Sequence, residues 1–539
     1  MKSILITSLN DDINLVRASH LTLSILKENP HSEISLLTFK DLEGAAQTIK
    51  HVKEVFYLDR YKIEHLKSGA LYSDAFALNT LAENLEPVLN VEWDQVVNFS
   101  NDNISAYLAP LLKTKATVGS SVSLFGSAVT SDRWASYRNF YCSAVQEAPI
   151  DPVACLHHSA NIPRLLGGQR IRINQDFSMV ANQNFARIRA GKTSGDSNAT
   201  IVGLNLSSSE TGAFFSLEQL QEIVETLETS LEYKTVLLLR GSPREKELVN
   251  ELNKLFNNAL ISINMDTSAM PSVLANLDFL VTLPNFTAAM ADALDTNVIE
   301  VVQPQETPKA LNEGSFFIKE FSPQQTPDDI LFLLNQENNT ILPVNSKNSD
   351  NKVYAKVKDE FGSFSTLIRG AIDINEELEY HVSRCFHYAL MGYPINEELI
   401  KNLKSNATKE AISDFASRAN QEMTETVKVL LASLRSLKNI GHSDKNASKF
   451  IQYLDQLILA GKKKGPAQAA ICLFEGAVEN VSSQNSEENL QEIEKSLFTL
   501  KADLQVLTKI LKQLVSEKET TPAKETRTHN SPSNNSKEA

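Results

Sequence analysis

Cysteine is scarce in this sequence: Cys142, Cys155, Cys385 and Cys472 are the four in 539 residues. No two of them lie two or three positions apart, so no metal knuckle is written here. So few thiols in so long a chain suit a reducing cytosol rather than a disulfide-stapled exterior. Positive charge is also short. The formal net charge of −14 excludes a general nucleic-acid binder, while leaving room for a local basic patch at a membrane surface. Long apolar runs are missing too, and no window reaches the roughly 18 residues of a membrane span. The apolar run after Met1-Lys2 breaks at Asn10-Asp11-Asp12, too early for a signal peptide. The expected location is the cytoplasm, with at most a peripheral contact to the inner membrane. What is present is ample core material. Hydrophobic residues make up 42% and charged residues 22%, a globular composition, and the length allows three or more domains.

The first third alternates strand and helix. "SILIT" (3–7), "EISLLTF" (33–39), "VFYL" (55–58), "DQVVNF" (94–99) and "ATVGS" (116–120) read as strands with helical patterns between them. Strands separated by helices of this length imply βαβ units and a parallel sheet. The polar stretch "RAGKTSGDSNA" (189–199) reads as a linker. Its Gly191-Lys192-Thr193 invites a P-loop reading, but the motif's first glycine would fall at Ala186 and no strand precedes it. The alternation then restarts with "TIVGLNL" (200–206), "TVLLLR" (235–240), "ALISIN" (259–264), "DFLVT" (278–282) and "NVIEVV" (297–302). The fold class expected is α/β, with two Rossmann-like domains followed by an all-α region. The expected boundaries are 1–185, a linker 186–199, 200–340, a crossover with helices 341–405, a helical bundle or coiled coil 406–516, and a disordered tail 517–539.

Beyond about residue 350 strand signals fade, and helical patterns occupy 375–392, 408–439, 444–460, 466–480 and 486–516. In the last of these Leu490, Ile493, Leu497, Leu500, Leu504, Leu507, Leu511 and Leu514 recur at alternating spacings of three and four. Such a stripe has to be covered, either by an antiparallel bundle within the chain or by a coiled coil with a second copy or another protein. His157-His158 beside Cys155 suggest a metal, but no further ligand pattern follows, so no metal and no cofactor are expected.

Glycine is missing where a phosphate-binding corner would need it. In "DFLVTLPNFTAAMADAL" (278–294) an apolar run stops at Leu283-Pro284 and a helical pattern begins at once. In a doubly wound protein a ligand phosphate sits at such a corner, on the helix N-terminus. Together with "ILITSLNDDINLVRASHLTLSILKENP", "WDQVVNFSNDNISAYLAPLL", "IVGLNLSSSETGAFFSLEQLQEIVETL" and "TPDDILFLL", this stretch resembles glycosyltransferase family 9, the lipopolysaccharide heptosyltransferases, over roughly residues 1–335. The resemblance implies the GT-B architecture, with an N-terminal acceptor domain and a C-terminal domain for a nucleotide-diphosphate sugar. It implies transfer of a sugar to a lipopolysaccharide or other cell-envelope glycan. The alternative is a catalytically inactive GT-B protein that binds or scaffolds through its helical C-terminal region.

The family's functional residues are replaced here. Asn14 falls on the Asp proposed as general base, and a neutral amide cannot take a proton. Asp12 or Asp11 could substitute, or could simply be loop and cap residues. Ala213 falls on a Lys that faces the diphosphate, although Ser207, Ser208 and Ser209 still offer hydroxyls after a strand. Pro284, Asn285 and Phe286 stand on the family's Asp-Thr-Gly, and Ala289 on its His. Phe286 brings a ring where glycine gave backbone access, and Pro284 has no N–H. Asn285 or Thr287 could still cap the helix.

Overall fold

A computed structural model describes residues 2–67, 73–123, 126–145, 148–165, 168–190, 199–229, 233–335, 349–359, 362–371, 373–440, 444–481, 483 and 485–516. The P-loop-like tripeptide, most of the expected linker and the expected tail lie outside the described residues. Five parallel strands make the first sheet: β1 (Ser3–Thr7), β2 (Glu33–Phe39), β3 (Glu54–Leu58), β4 (Gln95–Asn98) and β5 (Thr117–Val118), in the order β3-β2-β1-β4-β5. A short antiparallel pair, β6 (Ser120–Val122) and β7 (Ala128–Thr130), follows. The second sheet is separate. It holds β8 (Thr200–Asn205), β9 (Tyr233–Leu239), β10 (Ile261–Asn264), β11 (Phe279–Thr282), β12 (Asn297–Val302), β13 (Phe316–Lys319), β14 (Lys352–Asp359) and β15 (Gly362–Arg369), in the order β10-β9-β8-β11-β12-β13-β14-β15. The expected fold class is the observed one: two doubly wound α/β lobes and an all-α region.

One correction concerns residues 352–369. The sequence reading put a crossover and helices there, but β14 and β15 form an antiparallel hairpin that extends the second sheet beyond β13. Val353 and Ala355 point into the core of that lobe, while Tyr354 and Lys356 face the other way. A period-two signal was therefore present in "KVYAKV".

The two lobes share a core. Side chains alternate across a strand, so Ile4 and Ile6 of β1 leave on one face and Leu5 on the other. On β9, Val236 and Leu238 leave on one face and Leu237 and Leu239 on the other. The inner faces of both sheets meet in one cluster, which also holds Leu15 and Leu21 of the first helix (Asp12–Glu28) and Ala288 and Ala291 of the helix Phe286–Asp292. At its centre lies Arg170, fully buried. Its Nη2 donates to the Asp292 carbonyl at 2.9 Å and approaches the Asp292 carboxylate at 3.5 Å. The other Asp292 oxygen accepts the backbone N–H of Leu311 and Asn312 at 2.9 and 2.7 Å.

The helical region packs on the first lobe. Helices Ile374–Leu390, Lys409–Lys438, Gln468–Glu479 and Ser486–Val515 share a core with Tyr137, Tyr141, Ile150 and Cys155. Gly476 lies so close to the Phe140 ring that an added Cβ would stand 2.7 Å from it. The leucine stripe is covered inside the chain: Leu497, Leu500, Leu504, Leu507, Leu511 and Leu514 are all buried. The coiled coil to another copy or protein is thereby corrected to an intramolecular bundle, because helices Lys409–Lys438 and Gln468–Glu479 already cover the face it would use.

Buried histidines tie this packing to pH. The Tyr137 hydroxyl lies 2.8 Å from Nδ1 of His387, and burial holds that imidazole down to about 3. Burial likewise lowers His157 to about 4. A folded-state value below the unfolded one means that the unfolded chain takes up the proton first. This stability is present at neutral pH and is lost as pH falls from about 6.5 toward those values. Thermal melts between pH 7 and 4.5 are expected to show this loss. In His387→Gln the slope should be shallower by up to about 1.4 kcal/mol per pH unit, and an unchanged slope would contradict the assignment.

Candidate functional site

The turn at 284–287 keeps the strand–turn–helix shape. Strand β11 ends at Thr282, and Asn285 is the N-cap of Phe286–Asp292. Its Oδ1 accepts the N–H of Thr287 and Ala288 at 3.0 and 3.3 Å, the amides that a bound phosphate would use. Its Nδ2 donates to the carbonyls of Ser208 and Ser207 at 3.1 and 3.5 Å. Phe286 is buried beneath the Arg240 guanidinium, 5.4 Å from the ring centroid. Thr287 is fully buried, and its hydroxyl has no partner among the described residues.

The serine loop is brought against this turn but is spent on its own surroundings. The Ser207 hydroxyl donates to Glu245 at 2.7 Å, and Ser209 shares a hydrogen bond with Thr211 and accepts the Ala213 N–H. Thr211 donates in turn to Glu306, and Glu210 pairs with Lys309. Glu245 also accepts the backbone N–H of Arg240, Gly241 and Ser242 at 2.9, 2.7 and 2.9 Å. Two clusters of amides that could hold an anion are thus each filled by a side chain of the protein, one by Asn285 and one by Glu245. Three carboxylates around the loop make it hostile to a diphosphate.

The two aspartates part ways. Asp11 caps the first helix, its Oδ1 accepting the Asn14 N–H at 2.7 Å and its Oδ2 the Asn14 amide at 2.8 Å. It is a cap bonded to Asn14, which itself lines the interlobe cavity. Asp12 is half-buried and faces Arg240 of the other lobe. Burial raises its pKa above the usual carboxylate value, while the Arg240 charge pulls it down. Of the two aspartates, Asp12 is the one that faces the other lobe.

Sequence reasoning missed the cationic groups. Arg17, Arg138 and Lys356 line an interlobe cavity of about 140 Å³, and Arg164 stands behind Asp151 in a buried ion pair. No spacing marks these residues, since they come together only in the fold. The histidine pair is structural: His157 bonds to the Val153 carbonyl and Ser24, and His158 stacks on Trp134 at 4.2 Å. Among the described residues no group of three His, Cys, Asp or Glu could hold a metal, and no helix is long and apolar enough to cross a membrane.

No family model matches the chain, and no curated protein matches it. Among solved structures it is similar to a glycosyl transferase of family 9 from Veillonella parvula, with 15% identity, 63% of this chain and 91% of that chain covered, and a TM-score of 0.43. It is similar to an E. coli heptosyltransferase with ADP-2-deoxy-2-fluoro heptose, at 13% identity, 62% and 100% coverage and a TM-score of 0.45. The E. coli ADP-heptose lipopolysaccharide heptosyltransferase II gives 13% identity, 62% and 99% coverage and a TM-score of 0.42.

Proposed function

We propose that this chain is a glycosyltransferase-like protein that has given up transfer: a GT-B-type binding or scaffold protein in which the helical C-terminal region is the part that meets other molecules. The observation that carries this reading is Asn285, whose side chain occupies the helix amides where a donor diphosphate would rest. Loss of charge stabilisation at a leaving group costs on the order of 10²–10³ in rate. Loss of a general base costs on the order of 10²–10⁴ more, and Asn14 is both neutral and held by Asp11. Calorimetry of the purified chain against UDP-, GDP- and ADP-sugars is expected to show no micromolar binding. Micromolar binding that Asn285→Ala abolishes would sink this reading.

A second reading is favoured by Asp12. Its raised pKa and its place opposite Arg240 suit a base beside a cationic group. Under this reading the chain is a heptosyltransferase-type enzyme that transfers a sugar from a nucleotide-diphosphate donor to lipopolysaccharide or another cell-envelope glycan. Asp12→Asn should then lower kcat by about 10²–10⁴, while Asp11→Asn should cost only part of a helix cap, about 1 kcal/mol or less of stability. Turnover equal in wild type and Asp12→Asn would remove Asp12 as base.

A further inference from the structure

The interlobe cavity has a charge pattern that neither reading uses. Three cations reach it from three parts of the chain: Arg17 from the first helix, Arg138 from the π-helical turn Tyr137–Cys142, and Lys356 from β14. The carboxylate that faces them, Asp151, is held in the buried pair with Arg164 and accepts the Val153 N–H at 2.7 Å. Glu300, close enough for Arg17 and Lys356 to act on it, is buried and accepts the N–H groups of Lys309 and Ala310 at 2.8 and 2.7 Å. Positive charge is therefore in excess around the cavity.

The two arginines also hold unused hydrogen-bonding capacity. An arginine carries five N–H donors. Arg17 spends one on the Lys309 carbonyl at 2.9 Å, and its Nε is buried without a partner among the described residues. Arg138 is buried, and its two bonds go to the carbonyls of Phe99 and Ser100. Among the described residues neither guanidinium forms a direct ion pair, although Arg17 is near enough to Asp151, Asp292 and Glu300 to act on their charge. Phe99 and Phe364 contribute apolar wall, which lowers the local dielectric and strengthens any charge–charge contact made there. A buried cation without a counter-ion is costly unless an anion joins it. At about 140 Å³ the cavity falls short of the roughly 300–1,000 Å³ typical of drug-sized ligand sites. That size suits one tetrahedral anion with a short attachment.

We propose that the cavity between Arg17, Arg138 and Lys356 is a binding site for a small phosphate dianion, either the free ion or the phosphorylated end of a small sugar. Arg17 and Arg138 present planar forks of donors to its oxygens, and Lys356 adds a point charge from the hairpin. The Ser365 hydroxyl, which accepts from the Lys356 ammonium at 3.1 Å, keeps that charge at the cavity wall. The site is separate from the turn at 284–287, although Asn14 also lines it.

Isothermal titration calorimetry of the full chain tests this with inorganic phosphate, glucose 6-phosphate and glucose. Both anions should bind and glucose should not. Lys356→Gln and Arg138→Gln should each weaken the anions about tenfold or more, and Lys356→Arg should restore most of the loss. Melting curves without ligand confirm that each variant is folded, and Lys356→Gln decides the matter if Arg138→Gln fails to fold. Equal affinity for the two anions identifies the free ion as ligand, while tighter binding of glucose 6-phosphate identifies the phosphorylated sugar. No heat from either anion at millimolar concentration, or affinities unchanged in folded Lys356→Gln, overturns the proposal.

Discussion

Ending the chain after Asn485 is expected to unfold the helical region. The missing helix, Ser486–Val515, supplies Leu497, Leu500, Leu504, Leu507, Ile510, Leu511 and Leu514 to the bundle, all buried. At about 1.5–3 kcal/mol for each fully buried side chain, their loss matches or exceeds the roughly 5–15 kcal/mol by which a whole domain is stable. The Arg133–Asp503 ion pair to the first lobe, at 2.7 Å, goes with them. Far-UV circular dichroism should show a loss of helix well beyond the 30 residues of that helix, together with a lower-temperature transition or aggregation. A shortened chain that keeps the helical signal of residues 374–479 would show that the last helix is an accessory.

Arg170→Met should be the most damaging single substitution between the lobes. It removes the cation beside Asp292 and leaves that carboxylate in a water-free core. Breaking a buried pair from one side typically costs about 3–5 kcal/mol. The sign of the pH dependence follows from Asp292. Burial already raises its pKa, and the Arg170 charge is the largest effect holding it down. Without Arg170 the folded-state value rises further above the unfolded one. The folded variant then binds the proton more readily, and its stability increases as pH falls through that raised value. Chemical denaturation should therefore find the variant closer to wild type at pH 5 than at pH 7.5. The double variant Arg170→Met/Asp292→Asn should recover part of the loss at pH 7.5, and a double variant no better than the single one would refute the pairing.

The sequence made some of this legible and hid the rest for physical reasons. Buried central strands such as "SILIT" and "TVLLLR" are continuous apolar runs because both faces of a parallel sheet are covered, and they were read as strands. The leucine stripe announced a long helix, but a stripe alone cannot say whether its partner is the same chain or another. The hairpin at 352–369 was missed because its alternation is half-polar, with Tyr354 and Lys356 on the cleft side. The replaced positions Asn14, Ala213 and Pro284–Phe286 were visible by resemblance. What surrounds the serine loop was not, because Glu245 and Glu306 reach it from distant elements. Asp292 did leave a trace, as the single charge in the otherwise apolar "FTAAMADAL". A carboxylate so placed demands a buried partner, but nothing in the sequence identifies Arg170 as that partner.

The path of the chain carries a mechanical consequence. It runs from the first lobe to the second, out along the β14–β15 hairpin, and through the helices back onto the segment around Tyr137–Cys142 of the first lobe. The contacts thus close a ring: the shared core joins the lobes on one side, and on the other the bundle meets the first lobe through its core and the hairpin through the Lys352–Glu376 pair and the Arg384 guanidinium over Phe364. Two lobes joined along one seam can swing on microsecond-to-millisecond timescales and shut over a ligand. A second connection resists that swing, because opening one seam strains the other. The interlobe cavity is therefore braced from both sides. The residence of a ligand there should depend on the contacts it makes rather than on a closing door.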